Sequence, residues 1–302
     1  MIRNYKNGNY MVFLDTKTGT KIRINDKNSL IPNRPESIDV KITNECNHGC
    51  LFCHEGSIPN GKKATYDSLK NFAKALPPHI EISVGGGNLM LDFKHTQTFL
   101  EMLKEVNAIP SITVRQEDFI EYSDIIQEWY INELVYGIGV SLSDSNDEKL
   151  YENLKYFPTA VIHVIAGIFN KQDFNNLKDK DIKLLILGYK TFRRGRKYFR
   201  VYQHRINDGI EWLSENIINF MNHFSVVSFD NLAIKQLDIQ NKLSKEQWNQ
   251  FYMGDDGDYT FYVDLVENTY AKSSRSIARF SIENYNIDIM FHKIKGVKHD
   301  SN

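Results

Sequence analysis

Short apolar runs of strand length alternate along the middle of the chain with longer segments in which apolar residues recur at helical spacing. Six runs are typical of buried β-strands, at residues 37–43, 81–84, 111–114, 134–141, 160–166 and 183–187. Five amphipathic segments separate them, at residues 65–76, 96–106, 116–133, 147–156 and 171–177. This alternation predicts an α/β fold with a parallel sheet, whose chemistry lies at the carboxyl ends of the strands.

The two ends of the chain do not follow this repeat. Residues 10–14 and 21–24 are strand-like and flank a turn-rich linker, so they predict a β-hairpin. Further elements are predicted after the sixth strand: an amphipathic helix at 210–224, edge strands at 225–229 and 232–237, a short helix opened by Ser244, and β-structure at 259–266 and 280–290. We therefore divide the chain into a hairpin with its linker (1–35), a main domain (36–240) and a C-terminal α+β extension (241–302).

Composition and charge exclude some classes of protein. The 302 residues are 41% hydrophobic and 25% charged, which is ordinary for a globular protein with a large core. The chain has 37 basic and 38 acidic residues, so it has no overall positive charge to attract nucleic acid. A nucleic-acid partner would require a local basic patch. We find no signal-like apolar segment and no apolar run of about 20 residues, so we expect a cytoplasmic protein without a membrane partner.

All three cysteines of the chain, Cys46, Cys50 and Cys53, lie within a stretch of eight residues. Their odd number argues against a disulfide framework. Thiolates at such short spacing are soft ligands for zinc or for an iron–sulfur cluster. His48 and His54 could complete a zinc site, whereas three thiolates on a cluster of four irons would leave one iron open to another ligand.

The cysteines stand as Cys-x3-Cys-x2-Cys in a polar loop directly after the first strand of the repeat. Asn47 follows the first cysteine, and Phe52 precedes the third. This pattern resembles the radical S-adenosylmethionine (SAM) superfamily. The resemblance implies a partial (β/α)6 TIM-like barrel, a 4Fe–4S cluster on the three cysteines, and SAM bound to the fourth iron.

The resemblance also implies a reaction. Reductive cleavage of SAM at the cluster gives a 5′-deoxyadenosyl radical, which abstracts hydrogen from a substrate. The electron comes from an external donor, flavodoxin or ferredoxin, because the chain has no flavin motif. We expect a peptide or protein substrate, with a nucleotide or small metabolite as the alternative. Radical chemistry without hydrogen abstraction also stays open, as does a non-catalytic binding module stabilised by zinc.

Gly85, Gly86, Gly87 and Asn88 end the second strand. Glycines at this place let the backbone approach a ligand closely. They resemble the superfamily's Gly-Gly-Glu motif, which meets the amino group of SAM. The acidic position is missing here, so the Asn88 amide oxygen or a backbone carbonyl would have to make this contact without a charge.

Other candidates follow from their places at strand ends. The resemblance implies that Phe52 and Gly188 lie near the adenine of SAM, and that Ser141 meets its ribose or carboxylate. Arg193 and Arg196 belong to a basic and aromatic segment after the sixth strand. Because arginine binds carboxylate and phosphate bidentately, these two residues and Arg115 are candidates for substrate binding.

Overall fold

The computed structural model describes residues 1–26 and 29–296. A small antiparallel sheet at its start consists of β1 (Ile2–Asn7), β2 (Tyr10–Asp15) and β3 (Lys21–Ile24), in the order β1-β2-β3. β2 and β3 pair as predicted, so the hairpin is confirmed. β1 has a mostly polar sequence without strand alternation, and it is extended because it pairs with β2.

Strands and helices then alternate along the chain. The strands of the repeat are β4 (Ser37–Thr43), β5 (Glu81–Gly86), β6 (Ile109–Arg115), β7 (Gly137–Ser141), β8 (Ala160–Ile165), β9 (Lys183–Leu187) and β10 (Val226–Phe229). The helices between them are α1 (Tyr66–Lys74), α2 (Phe93–Glu105), α3 (Gln116–Glu121), α4 (Ser123–Ile131), α5 (Glu148–Leu154), α6 (Lys171–Leu177) and α7 (Arg193–Met221). All six predicted strands of the repeat are present, and their parallel pairing is confirmed.

Up to residue 296, the C-terminal part adds four short helices and three strands. They are α8 (Asn231–Gln236), α9 (Ile239–Lys242), α10 (Lys245–Phe251), β11 (Thr260–Asp264), β12 (Thr269–Ala271), β13 (Phe280–Ser281) and α11 (Ile287–Lys295). Ser244 caps α10 with the predicted capping box. The amphipathic helix predicted at 210–224 is the second half of α7, whose backbone is non-helical at Tyr202. Within the described residues, no helix is both long and apolar enough to cross a bilayer.

One large sheet has the strand order β10-β9-β8-β7-β6-β5-β4-β11-β12-β13. Its strands from β10 to β11 all run parallel, and β11 pairs with β4 from Thr260↔Ser37 to Asp264↔Lys41. The sheet is therefore larger than the six strands expected, because β10 and β11 add a parallel strand on each side. In the part of the chain that the structure describes, β10 and β11 do not pair with each other.

Side-chain alternation gives the strands two different faces. Ile38, Val40 and Ile42 of β4 are fully buried and belong to the same core cluster as Leu69 and Phe72 of α1. The alternate residues of β4 point away from these helices. The core thus fixes the outer layer of helices, and the other face of the sheet, with its carboxyl edge, is left for polar groups.

One of the predicted β-segments is almost wholly helical, and another is a strand only at residues 280–281, in β13. Residues 232–237, expected as an edge strand, lie in α8, because Asp230 caps this helix by accepting from the Ala233 N–H. Most of residues 280–290 lie in a turn and in α11, where Asn286 accepts from the Ile289 N–H. A short apolar run fits either element, and in both segments the capping side chain favours the helix.

Glu36 joins the N-terminal sheet to the start of β4. Its buried carboxylate accepts from Tyr10 Oη at 2.6 Å and from Arg23 Nε at 2.8 Å, and Lys21 Nζ lies 3.3 Å away. Burial alone would raise the pKa of Glu36, but Lys21 and Arg23 outweigh burial and hold this pKa below its ordinary value. Glu36 is therefore a buried anion that holds two cations of β3.

We expect Glu36→Gln to lower the free energy of unfolding by about 3–5 kcal/mol at about pH 7, because it leaves buried cations without their partner. The folded-state pKa lies below the unfolded one, so this contribution is present above the unfolded pKa and is lost as pH falls through the folded pKa. Urea unfolding of wild type and variant across this range measures it. A difference that stays constant into acid would contradict the assignment.

Candidate functional site

The loop that carries the cysteines leaves β4 at its carboxyl end and folds back on itself. The Asn44 N–H donates to the Lys62 carbonyl at 2.8 Å, and the Cys46 N–H donates to the Ile58 carbonyl at 3.0 Å. The Ile58 N–H returns a bond to the Asn44 carbonyl at 3.1 Å. These bonds hold both ends of the loop, so the cysteines lie at the edge of the sheet where α/β barrel enzymes carry their active sites.

All three thiols are free. Cys46 is buried, and Cys50 and Cys53 are partly exposed. Burial raises the pKa of Cys46 and of Cys50, and the neighbouring thiols raise both further. Each of these two thiols therefore lies near another cysteine of the loop. The Gly56 N–H donates to Cys53 Sγ at 3.2 Å, a type of contact that tunes sulfur ligands in iron–sulfur sites.

The glycines that end β5 pack against this loop. A Cβ on Gly86 would lie 2.3 Å from the Thr43 carbonyl oxygen, and one on Gly87 would lie 2.1 Å from the Glu45 carbonyl oxygen. Both glycines are thus needed for two backbones to approach each other. Gly85 differs, because apart from Gly85 itself and its two neighbours in the chain, no heavy atom of the described residues lies within 4 Å of the place where its Cβ would stand. Of the three, Gly85 is the one with room beside it for a cofactor.

Asn88 is buried and already bonded. Its amide oxygen accepts from the Met90 N–H at 2.8 Å, and its Nδ2 donates to Asp118 Oδ1 at 3.2 Å. The same Nδ2 lies 3.1 Å from both Asn47 Oδ1 and His48 Nε2. The oxygen that was expected to meet the amino group of SAM would first have to leave its backbone partner. This contact stays a prediction.

Asp118 places a carboxylate in this network, although the glycine motif itself has no acid. It is buried on α3, and its Oδ2 lies 2.5 Å from His48 Nε2. Burial raises the pKa of Cys46, and the Asp118 carboxylate adds to this rise. The acidic group that contacts Asn88 therefore comes from the helix after the third strand of the repeat rather than from the end of the second strand.

Neither nearby histidine is directed at the thiols. His48 is bonded to Asp118, and His54 Nε2 lies 3.3 Å from Glu55 Oε1. Over residues 1–26 and 29–296, no three His, Cys, Asp or Glu side chains converge so as to hold one metal ion. A mononuclear zinc site with these histidines as ligands is thus not formed in this arrangement.

Arg115 extends from the end of β6 to the cysteines. Its Nη1 donates to Cys50 Sγ at 2.6 Å, and its Nε donates to Glu117 Oε2 at 2.7 Å and Ser143 Oγ at 3.0 Å. Ser141 stands opposite Arg115 in the register of β6 and β7, on the same face of the sheet. The structure therefore places two of the predicted residues, Arg115 and Ser141, side by side at the carboxyl ends of neighbouring strands, and Arg115 contacts a cysteine sulfur.

The first turn of α7 packs against the cysteine loop through Arg194. Its Nε donates to the Cys50 carbonyl at 3.0 Å, and its Nη1 donates to the Ser57 carbonyl at 2.8 Å. The Nη2 atom is buried and has no hydrogen-bond partner among the described residues. The predicted Arg196 instead donates to the Thr191 carbonyl at 3.3 Å and is exposed. Arg194 thus ties the loop to the helix.

We expect Arg194→Gln to destabilise the protein by about 3 kcal/mol, because it removes two partly buried hydrogen bonds from a charged donor to backbone carbonyls. Arg196→Gln on the same helix is the matched control, and it should change stability by no more than about 0.5 kcal/mol. Thermal unfolding of both variants measures the difference. Equal midpoints for the two variants would contradict the role of Arg194.

Phe52 lies against α7, and Gly188 lies against α8. The ring of Phe52 meets that of Tyr198 edge-on, with centroids 6.0 Å apart. The Gly188 N–H donates to Asp230 Oδ1 at 2.9 Å, and a Cβ on Gly188 would lie 2.4 Å from Leu232 Cγ. Gly188 is therefore needed for the close packing of α8. Contact of either residue with adenine stays a prediction.

A buried ion cluster connects the cysteine loop to the C-terminal extension. Lys41 Nζ on β4 lies 2.9 Å from Glu55 Oε2 and 3.1 Å from Asp264 Oδ2 of β11. Sequence reasoning missed this cluster, as it missed Asp118 and Arg194. The sequence did hold a signal for Asp118 and Arg194, since Asp118 follows the candidate Arg115 closely and Arg194 adjoins the candidate Arg193. It held no signal for Lys41, because the alternation of residues along a strand does not tell which strand will pair beside it.

A cavity of about 450 Å³ lies along α5 and the residues that follow it, and it is lined by Lys149, Glu152, Asn153, Lys155 and Tyr156. A second cavity of about 210 Å³ adjoins the cysteine loop. The larger one has no convergent polar groups from different elements, so we do not assign a site to it.

No protein-family model and no curated protein matches the chain. Among solved structures, it is similar to one described as native anSMEcpe with bound AdoMet, with a TM-score of 0.53 and 12% identity over 87% of this chain and 81% of that one. A thiamine phosphate pyrophosphorylase from Pyrococcus furiosus matches over 71% of this chain and 97% of that one at 10% identity, but its TM-score of 0.24 carries no argument. The first likeness supports the fold, a mixed α/β structure with a large parallel sheet.

Proposed function

We propose that this protein is a radical SAM enzyme. The observation that carries the proposal is the set of three free thiols, Cys46, Cys50 and Cys53, in one loop at the carboxyl end of the first parallel strand. The likeness in fold to a protein with bound AdoMet, which is SAM, supports the same proposal.

The donor set fits a 4Fe–4S cluster better than a single metal ion. Among the described residues, no three ligands converge on a single ion, the three thiols included, whereas structural zinc requires four ligands around one ion. A 4Fe–4S cluster has several irons to bind, and three thiolates on it would leave one iron open. When bound, the cluster and SAM supply a 5′-deoxyadenosyl radical that abstracts hydrogen from the substrate. Metal binding requires deprotonated thiols, so loading of the site releases protons.

The residues of the chain act around these groups. Cys46, Cys50 and Cys53 would hold the cluster, and Gly85 would leave room for SAM. The guanidinium of Arg115, which contacts Cys50 Sγ, offsets part of the negative charge of the thiolates.

The partners follow from the same proposal. An external one-electron donor, flavodoxin or ferredoxin, supplies the electron, and the reducing cytoplasm suits an exposed thiolate site. For the substrate, a peptide or protein is our first prediction, and a nucleotide or small metabolite is the alternative. Asp264 of the C-terminal extension and Glu55 of the cysteine loop both pair with Lys41, and we expect substrate recognition on this side of the loop.

The direct test is cleavage of SAM. The protein is reconstituted with iron and sulfide without oxygen, reduced with dithionite and incubated with SAM, and 5′-deoxyadenosine is measured by mass spectrometry. We expect 5′-deoxyadenosine to accumulate with time above a control without dithionite. A protein that carries a full cluster yet cleaves no SAM would contradict the proposal, and tightly bound zinc without iron would favour the binding module.

A further inference from the structure

A cavity of about 210 Å³ lies between the cysteine loop and the C-terminal extension. The loop contributes Glu55, two residues after Cys53. The start of α7 contributes Arg193, and the segment between β12 and β13 contributes Arg275 and Arg279. Three parts of the chain that are distant in sequence thus meet around one space, and each brings a charged group.

The cavity has an excess of positive charge. Three arginines line it against one carboxylate, that of Glu55. This carboxylate lies 2.9 Å from Lys41 Nζ, which it shares with Asp264, and 3.6 Å from Arg193 Nη1. Arg275 pairs with Asp256 at 2.9 Å. Arg279 is exposed and donates to a backbone carbonyl at 2.8 Å, and it makes no ion pair among the described residues. Guanidinium donors therefore remain available to an anion inside the cavity.

Arg193 is held in the cavity wall in an unfavourable backbone conformation. Its φ is 44°, in the left-handed region that costs a non-glycine residue free energy. Gly56 leaves the room for its side chain, because a Cβ there would lie 2.8 Å from Arg193 Cδ. Arg193 Nη1 donates to the Glu55 carbonyl. Backbone strain of this kind is concentrated at functional sites, so the left-handed conformation of Arg193 supports a functional role for this wall.

The opposite wall is also fixed before any ligand arrives. The Ser273 N–H donates to Ser276 Oγ at 3.2 Å, which closes a turn around Arg275. Asp256, the partner of Arg275, accepts from Asn231 Nδ2 at 2.8 Å. Ordered side chains lose less conformational entropy when a ligand binds. The arginines of this wall are therefore partly preorganised.

We propose that this cavity binds an oxyanion group of the substrate, a carboxylate or a phosphate, and so selects an anionic substrate. The proposal rests on the proposed function, because it takes the group bound beside the third cysteine to be part of the substrate. Arginine forks match both oxyanions bidentately. The C-terminal extension, which supplies two of the three arginines, thereby gains a role in specificity.

The test is calorimetric titration of the reconstituted full chain with inorganic phosphate and, separately, with succinate. At about 150 mM ionic strength, attraction to a distant basic surface is screened within about 8 Å. We expect at least one probe to bind at one site per chain, and Arg279→Gln to weaken it at least tenfold. Arg200→Gln, an exposed arginine farther along α7, should leave the affinity within twofold.

The probe that binds tells whether the group is a phosphate or a carboxylate. Failure of both probes, or equal weakening by Arg279→Gln and Arg200→Gln, would overturn the proposal. Thermal unfolding of the variants excludes misfolding as the cause.

A second titration, in the presence of saturating SAM, separates the two ligands. We expect the affinity for the probe to stay within twofold, whereas its loss would assign the cavity to SAM itself and overturn the proposal. The titration needs no turnover. Probe binding without 5′-deoxyadenosine formation would thus support the anion site and contradict the proposed function, and the reverse result would contradict the anion site alone.

Discussion

Cys46→Ala will reduce the iron and acid-labile sulfide of the reconstituted protein from about four of each per chain to near zero. Cys46 is the buried member of the three thiols, and its backbone is fixed by a bond to Ile58. Two remaining thiolates are too few for a stable cluster, and no other cysteine exists in the chain. Formation of 5′-deoxyadenosine should fall below detection at the same time. Iron and sulfide assays of the desalted protein measure the effect.

Leu51→Ala is the matched control for this prediction. Leu51 stands in the same loop, and its side chain is 66% exposed. Its variant should keep the iron content and the rate of SAM cleavage of the wild type. Full iron content in Cys46→Ala would show that this cysteine is not a ligand.

Gly86→Ala will destabilise the protein by about 2–5 kcal/mol, the sum of an unfavourable φ and an overpacked contact. Its φ is 129°, and the new Cβ would lie 2.3 Å from the Thr43 carbonyl oxygen at the start of the cysteine loop. That oxygen belongs to the backbone and cannot rotate away. We therefore also expect weaker cluster assembly, because the loop has to move. The thermal midpoint and the iron content of the variant measure the two effects.

Gly85→Ala separates packing from cofactor binding. Its Cβ meets open space, so the thermal midpoint should stay near that of the wild type. If Gly85 lies beside SAM, the same methyl group should weaken SAM binding in an equilibrium assay. Equal destabilisation by both substitutions would contradict the separate roles of these glycines.

The sequence predicts the repeat of strands and helices well, because both periodicities are strong in it. The large sheet has one more parallel strand on each side than predicted, β10 and β11. The pairing of these two strands depends on contacts between distant segments, which the sequence pattern does not show. β11 lies next to β4 partly because Asp264 meets the buried Lys41, and no local pattern indicates this pair. The errors at 232–237 and 280–290 have another cause, since caps at Asp230 and Asn286 override short apolar runs.

At the candidate site, the sequence identifies the residue types but not always the residue that makes the contact. Arg115 reaches Cys50 as one of the predicted strand-end residues. In the basic segment, Arg194 faces the cysteine loop and Arg196 does not, because the exact start of α7 decides which arginine points inward. Asp118 supplies a charge that the sequence motif lacks, and only the fold brings it to Asn88.

The most direct test of the account is electron paramagnetic resonance of the reconstituted, dithionite-reduced protein with and without SAM. Three thiolates on a 4Fe–4S cluster leave one iron without a protein ligand, and SAM binding there must change the environment of the reduced cluster. We predict the signal of a reduced 4Fe–4S cluster, with g values that shift when SAM is added. A cluster signal that SAM leaves unchanged, or a protein that holds zinc and gives no signal, would contradict the account.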